Sequence, residues 1–141
     1  MSGPSEAARH DDGAALLARL EHSASRQDTP TAGGAAAWRR FGAGPPLVLL
    51  HGGHGSWLHW LRNIDALART HTLWLPDLPG YGDSADPPAP TLDALVSMLH
   101  EALDAALGAA TPFALAGFSF GGLVAADLAA RLAPGRLQRL A

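Results

Sequence analysis

The segment Gly117-Phe118-Ser119-Phe120-Gly121 constrains this chain more than any other. It lies between a short apolar run, Pro112-Phe113-Ala114-Leu115-Ala116, and a small-residue helical pattern, Gly122-Leu123-Val124-Ala125-Ala126. A strand passing directly into a helix must turn sharply, and glycines two residues either side of Ser119 give the room that such a turn needs. The strain lifts the serine hydroxyl to the top of a sheet. The helix behind it points unpaired N–H groups and a partial positive charge at whatever Ser119 attacks. A GxSxG window alone arises by chance in about one such chain in ten, so the context has to carry the reading.

Two further strand ends supply that context. Leu47-Val48-Leu49-Leu50 reads as a fully buried strand, and it ends in His51-Gly52-Gly53-His54-Gly55-Ser56 before a helical segment begins. Glycines there let the backbone turn closely and leave N–H groups free to face a developing oxyanion. Thr72-Leu73-Trp74-Leu75-Pro76 reads as another strand, followed by the turn-rich Asp77-Leu78-Pro79-Gly80-Tyr81-Gly82-Asp83-Ser84. Three strand ends then carry loops on the same side.

The HGGHGS, DLPGYGDS and GFSFGG segments, in this order, resemble the α/β-hydrolase superfamily, in particular its lid-bearing serine hydrolases with an HGG-type oxyanion loop. The resemblance runs from about Trp38 to the last residue. It implies that Ser119 is the nucleophile, with an oxyanion hole made by the N–H groups of Phe120 and Gly53. It also implies a small-molecule acyl substrate and no cofactor. Relatives that open epoxides or displace halide use an aspartate at the elbow, so serine here argues against both. In the superfamily an acid and then a histidine follow the serine along the chain. Here the residues after Ser119 hold one acid, Asp127, and no histidine. Asp127 falls about two turns into the helix after the elbow, where it should not replace an acid on a later strand-end loop.

The sequence is therefore read as the N-terminal portion of an ester-cleaving serine hydrolase, truncated after the nucleophile-elbow helix and lacking acid and base. The alternative is an inactive, truncated paralogue serving as a binding or interaction module. An unfinished strand from Leu137 would leave a sheet edge unpaired, which predicts self-association.

Along the chain, Asp11 or Asp12 caps a short helix with Leu16, Leu17 and Leu20 on one face, and Gln27 to Ala37 reads as a linker. Residues 1–34 are thus expected to be an extension and residues 35–141 a partial hydrolase domain. Trp38 to Phe41 reads as an antiparallel strand. Ser56 caps one helix carrying Trp57, Trp60, Leu61, Ile64 and Leu67, and Thr91 caps a longer one that Gly108 stops. Strands alternating with helices predict an α/β fold with a doubly wound, mostly parallel sheet and its ligand at the strands' C-terminal ends.

Other candidates have plainer readings. His51 is expected to brace the oxyanion loop through hydrogen bonds. The trio His51, His54 and His59 fits no strong zinc spacing, so no metal site is expected. Asp77, Asp83 and Ser84 read as turn formers. A net charge of −3 leaves no basic footprint for nucleic acid. All ten basic residues are Arg, and the absence of cysteine excludes disulfides and thiolate chemistry. No signal peptide and no membrane span are apparent, and a cytoplasmic location is the default.

Overall fold

In the computed structural model, which describes residues 6–141 and their side chains from residue 12 onward, helix α1 (Glu6–Ser23) leads into a hairpin of β1 (Ser25–Thr31) and β2 (Gly34–Gly42). There follow β3 (Pro46–Leu50), a 3-10 turn (Trp57–Trp60), α2 (Ile64–Ala68) and β4 (Thr72–Pro76). The chain closes with α3 (Leu92–Leu107), β5 (Phe113–Gly117), α4 (Phe120–Arg131) and β6 (Leu137–Leu140). The strands form one sheet in the order β1-β2-β4-β3-β5-β6. β2 pairs antiparallel with β1 and β4, and the remaining pairs are parallel. This is the doubly wound, mostly parallel α/β architecture that the alternation of elements predicts.

The sheet's alternation builds two apolar layers, one on each face. Val48 and Leu50 of β3, Trp74 of β4 and Leu115 of β5 join Val96, Leu99 and Leu103 of α3 and Val124 and Leu128 of α4. Leu49, Leu73 and Leu75 point the other way, onto Leu20, Trp57 and Ile64. After β3 the chain moves to β4 on one side, and after β4 it crosses to β5 on the other side. The C-terminal ends of β3 and β5 therefore border a topological switch point, where diverging loops leave a crevice. Arg136, buried at 5% exposure, staples the start of β6 to α3 by bonding Asp104 and the carbonyl of Gly108.

Three local expectations are corrected. Helix α1 already runs from Glu6, so Asp11 and Asp12 lie inside it rather than capping it. Gln27 to Ala37 is not a linker but the paired part of the hairpin, in register from Ser25 opposite Arg40 to Thr31 opposite Gly34. Its small residues suit a close fit. Ala36 and Ala37 are fully buried, and a methyl group on Gly33 would stand 3.3 Å from the Met98 sulfur of α3. The Trp38 indole N–H also reaches back to Thr29 Oγ1 at 2.9 Å. The helix expected after Ser56 is broken in two. Leu61 N–H and Asn63 N–H bond three residues back, to Leu58 and Trp60, which winds the first turn as 3-10.

Leu20 is 2% exposed in the second layer. Replacing it with Ala should cost about 2–5 kcal/mol of unfolding free energy, the range for a core leucine. A urea midpoint unchanged in Leu20→Ala would show that α1 does not contribute to this core.

Candidate active site

β3 ends at Leu50 and leaves the sheet through His51, Gly52 and Gly53, while its neighbour β5 ends at Gly117 and enters α4 through Phe118 and Ser119. The two exits are tied together, since Phe118 N–H donates to the Leu50 carbonyl at 3.0 Å. A methyl group on Gly121 would collide with the carbonyl oxygens of Leu50 and His51, and one on Gly117 with the backbone of Gly121 and Gly122. Only glycine fits at either place. Ser119 is left at φ 55° and ψ −117°, a region that costs a non-glycine residue about 1–3 kcal/mol. It is exposed at the N-terminus of α4, and among the described residues its hydroxyl has no hydrogen-bond partner. Gly53 lies against Phe120, where a Cβ on Gly53 would stand 3.7 Å from the Phe120 Cβ. Ser119, Phe120 and Gly53 thus share one small region of the surface.

His51 is fully buried. Its Nε2 accepts the Leu78 N–H at 2.9 Å, which leaves the proton on Nδ1 to donate to the Gly52 carbonyl at 2.7 Å. Burial is the main cause of a His51 pKa below its usual value, and the Gly52 hydrogen bond and the Asp77 charge oppose it less strongly. A neutral ring therefore holds the Gly52 carbonyl. Because the peptide unit is planar, this also fixes where the Gly53 N–H points. The Gly52 N–H is held from the other side by His59 Nδ1 at 3.0 Å. His59 lies edge-on to His51 and to Phe118, each at 5.9 Å. Sequence reasoning weighed His59 only as a metal ligand. Among the described residues no group of three or more His, Cys, Asp or Glu side chains converges as a metal site.

The DLPGYGDS turn is likewise a structural tie. Asp77, 2% exposed, accepts the Trp57 N–H at 2.9 Å and the Asp83 N–H at 3.0 Å. It thereby joins the loop after β4 to the turn after β3. A methyl group on Gly82 would collide with its carboxylate. Ser84 donates to the Asp77 carbonyl and accepts the Ala37 N–H. Asp83 pairs outward with Arg39 and Arg26, and the hydrogen bond from Arg39 is the main cause of a lowered Asp83 pKa. Both Asp77 and Ser84 satisfy backbone, as Asp and Ser in such a turn should. The linkage between the two loops was not legible from spacing. Asp127 pairs with Arg131, one turn along α4.

Beside Phe120 opens a cleft of about 490 Å³, walled by His54, Tyr81, Pro87, Pro90, Leu92 and Leu95 among others. His54, at φ 57°, sits at its edge next to Gly53. Phe118, 57% exposed, stands on the other side of Ser119 in the chain.

Residues 45–141 match the family model described as alpha/beta hydrolase fold. The chain is 36% identical over 104 residues to a pimeloyl-[acyl-carrier protein] methyl ester esterase from Vibrio campbellii, covering 73% of this chain and 38% of that one. A shorter stretch of 46 residues is 54% identical to a soluble epoxide hydrolase from a Corynebacterium, covering 33% of this chain and 16% of the other. The crystal structure of a hydrolase from Pseudomonas aeruginosa superposes with a TM-score of 0.72 at 32% identity, over 82% of this chain and 44% of that one. The chain therefore spans less than half the length of each of these relatives. Among the described residues no helix is long and apolar enough to cross a membrane.

The His51 brace predicts a pH dependence of stability. Its folded pKa lies below the unfolded value of about 6.5, so its contribution is complete above that pH and is lost as pH falls through the folded value. The unfolding temperature should therefore drop more steeply from pH 7.5 to 5.5 in the wild type than in His51→Gln. At pH 7.5 the substitution should itself cost about 1–3 kcal/mol, through the disturbed partners Leu78 and Gly52. Parallel pH curves for the two proteins would contradict the brace.

Proposed function

The chain belongs to the α/β-hydrolase fold family, and from that premise we propose that it carries the nucleophile and oxyanion hole of a serine hydrolase acting on an ester or related acyl bond. The observation that carries this reading is Ser119 itself, strained to positive φ on a glycine-cleared turn at a helix N-terminus, with Gly53 against Phe120. In the proposed reaction Ser119 Oγ attacks the acyl carbon while its proton passes to a general base, which later returns it to the leaving alcohol. The tetrahedral oxyanion accepts the N–H groups of Phe120 and Gly53, collapse expels the alcohol as it takes up a proton, and water then releases the acid from the acyl-enzyme. The helix dipole at the start of α4 favours the same negative charge.

The likeness to an esterase favours an ester substrate, and the shorter likeness to an epoxide hydrolase is weighed against the serine at position 119. The general base and the acid that orients it come, on this reading, from polypeptide outside these 141 residues. The second reading is a binding module that keeps the fold without the chemistry.

Labelling with a fluorophosphonate probe separates the two. The chain alone should resist the probe and hydrolyse p-nitrophenyl esters near background, because loss of base and acid costs on the order of 10⁶ in kcat. Co-expressed with the C-terminal part of the esterase relative, it should become labelled at Ser119, and Ser119→Ala should not. An unlabelled Ser119 in the complemented protein would favour the binding module. Stoichiometric labelling of the chain alone would place the base within it.

A further inference from the structure

The cleft beside Phe120 has a chemistry that the nucleophile and oxyanion hole leave undetermined. Its walls are mainly prolines, Leu92, Leu95 and the rings of Tyr81 and Phe120, with His54 at the edge. Among the described residues no Asp, Glu, Lys or Arg lines it. Its volume of about 490 Å³ falls within the range of pockets that hold small organic molecules.

The walls are also held in place. Pro79 is buried, and Gly80 N–H bonds the Ala85 carbonyl at 2.9 Å. The Tyr81 ring packs against His51 at 5.4 Å and Phe120 at 6.3 Å. Asp83 anchors the same loop to β1 and β2 through Arg26 and Arg39. Three prolines restrict the backbone further. A cleft prepared in this way loses little ordering entropy when it is filled.

Phe120 joins this cleft to the chemistry. Its side chain forms part of the wall, and it follows Ser119 directly in the chain. A group lying along the wall would leave its carbonyl end beside Ser119, close to Gly53 and His54. We infer that the cleft is the acyl-chain subsite of the proposed hydrolase, and that it selects an uncharged, apolar acyl chain over one ending in a carboxylate. The inference rests on the serine hydrolase reading for its chemistry, but the cleft binds whether or not Ser119 reacts. A carboxylate in the cleft would lose water and meet no Lys or Arg among the described residues, so the discrimination comes from desolvation.

The test uses two methyl esters, methyl hexanoate and monomethyl succinate, titrated onto the full 141-residue chain by saturation-transfer difference NMR. Methyl hexanoate should bind at least tenfold tighter than monomethyl succinate. Leu92→Trp and Pro90→Trp, which fill the cleft from two walls, should each weaken methyl hexanoate at least tenfold. The unfolding temperature of each variant identifies any that fails to fold, and the other then carries the comparison. Equal affinity for the two esters overturns the inference, as does undiminished binding of methyl hexanoate to a folded, cleft-filled variant. Labelling of Ser119 without such selective binding would refute the subsite and leave the hydrolase reading standing. Selective binding without labelling would do the reverse.

Discussion

The close approach of the β5–α4 turn to the end of β3 is the constraint on which the site depends. Backbone meets backbone there. Gly121 abuts the carbonyls of Leu50 and His51, Gly117 abuts Gly121 and Gly122, and Phe118 N–H closes the gap to Leu50. Any side chain at either glycine would push the turn away from β3, and with it Phe120 from Gly53. The strain at Ser119 is the other face of the same fit. A residue in an unfavourable backbone region persists only where its surroundings over-determine it, and here two glycines and a neighbouring strand do so.

A second set of bonds aims what this approach brings together. His51 grips the Gly52 carbonyl and His59 the Gly52 N–H, so the peptide groups on either side of Gly52 are both held, the second being the one that carries the Gly53 N–H. Asp77 ties the next turn to the loop after β4, and Asp83 ties that loop to the hairpin. The Ser119 turn, the loop beside it and the cleft wall thus form one bonded unit. On the proposed reading, donors fixed in this way before substrate arrives would need no reorganisation when charge develops.

Much of this was legible in the sequence because it depends on local rules. The elbow glycines, the buried runs of β3 and β5, the caps Ser56 and Thr91 and the stop at Gly108 each follow from backbone sterics or hydrogen bonding over a few residues. His51 is read as bracing the loop through hydrogen bonds, and it bonds the Leu78 N–H and the Gly52 carbonyl. What was missed depends on partners distant in the chain. The hairpin over Gln27 to Ala37 reads as a linker because its alanines and glycines carry little hydrophobic signal, and only the approach of α3 makes small residues the right ones. The bond from Gly52 to His59 and the bridge from Asp77 to Trp57 likewise depend on where two loops meet. Spacing carries no trace of either.

The fold holds Ser119 in an unfavourable backbone conformation, at φ 55° and ψ −117°. Ser119→Gly tests it by equilibrium unfolding. Glycine normally destabilises an ordered position by about 0.5–1 kcal/mol through chain entropy. At a positive φ that costs about 1–3 kcal/mol the relief should outweigh this. Ser119→Gly should therefore raise the unfolding midpoint, by on the order of 1 kcal/mol in free energy. A midpoint that falls, as at an unstrained position, would contradict it.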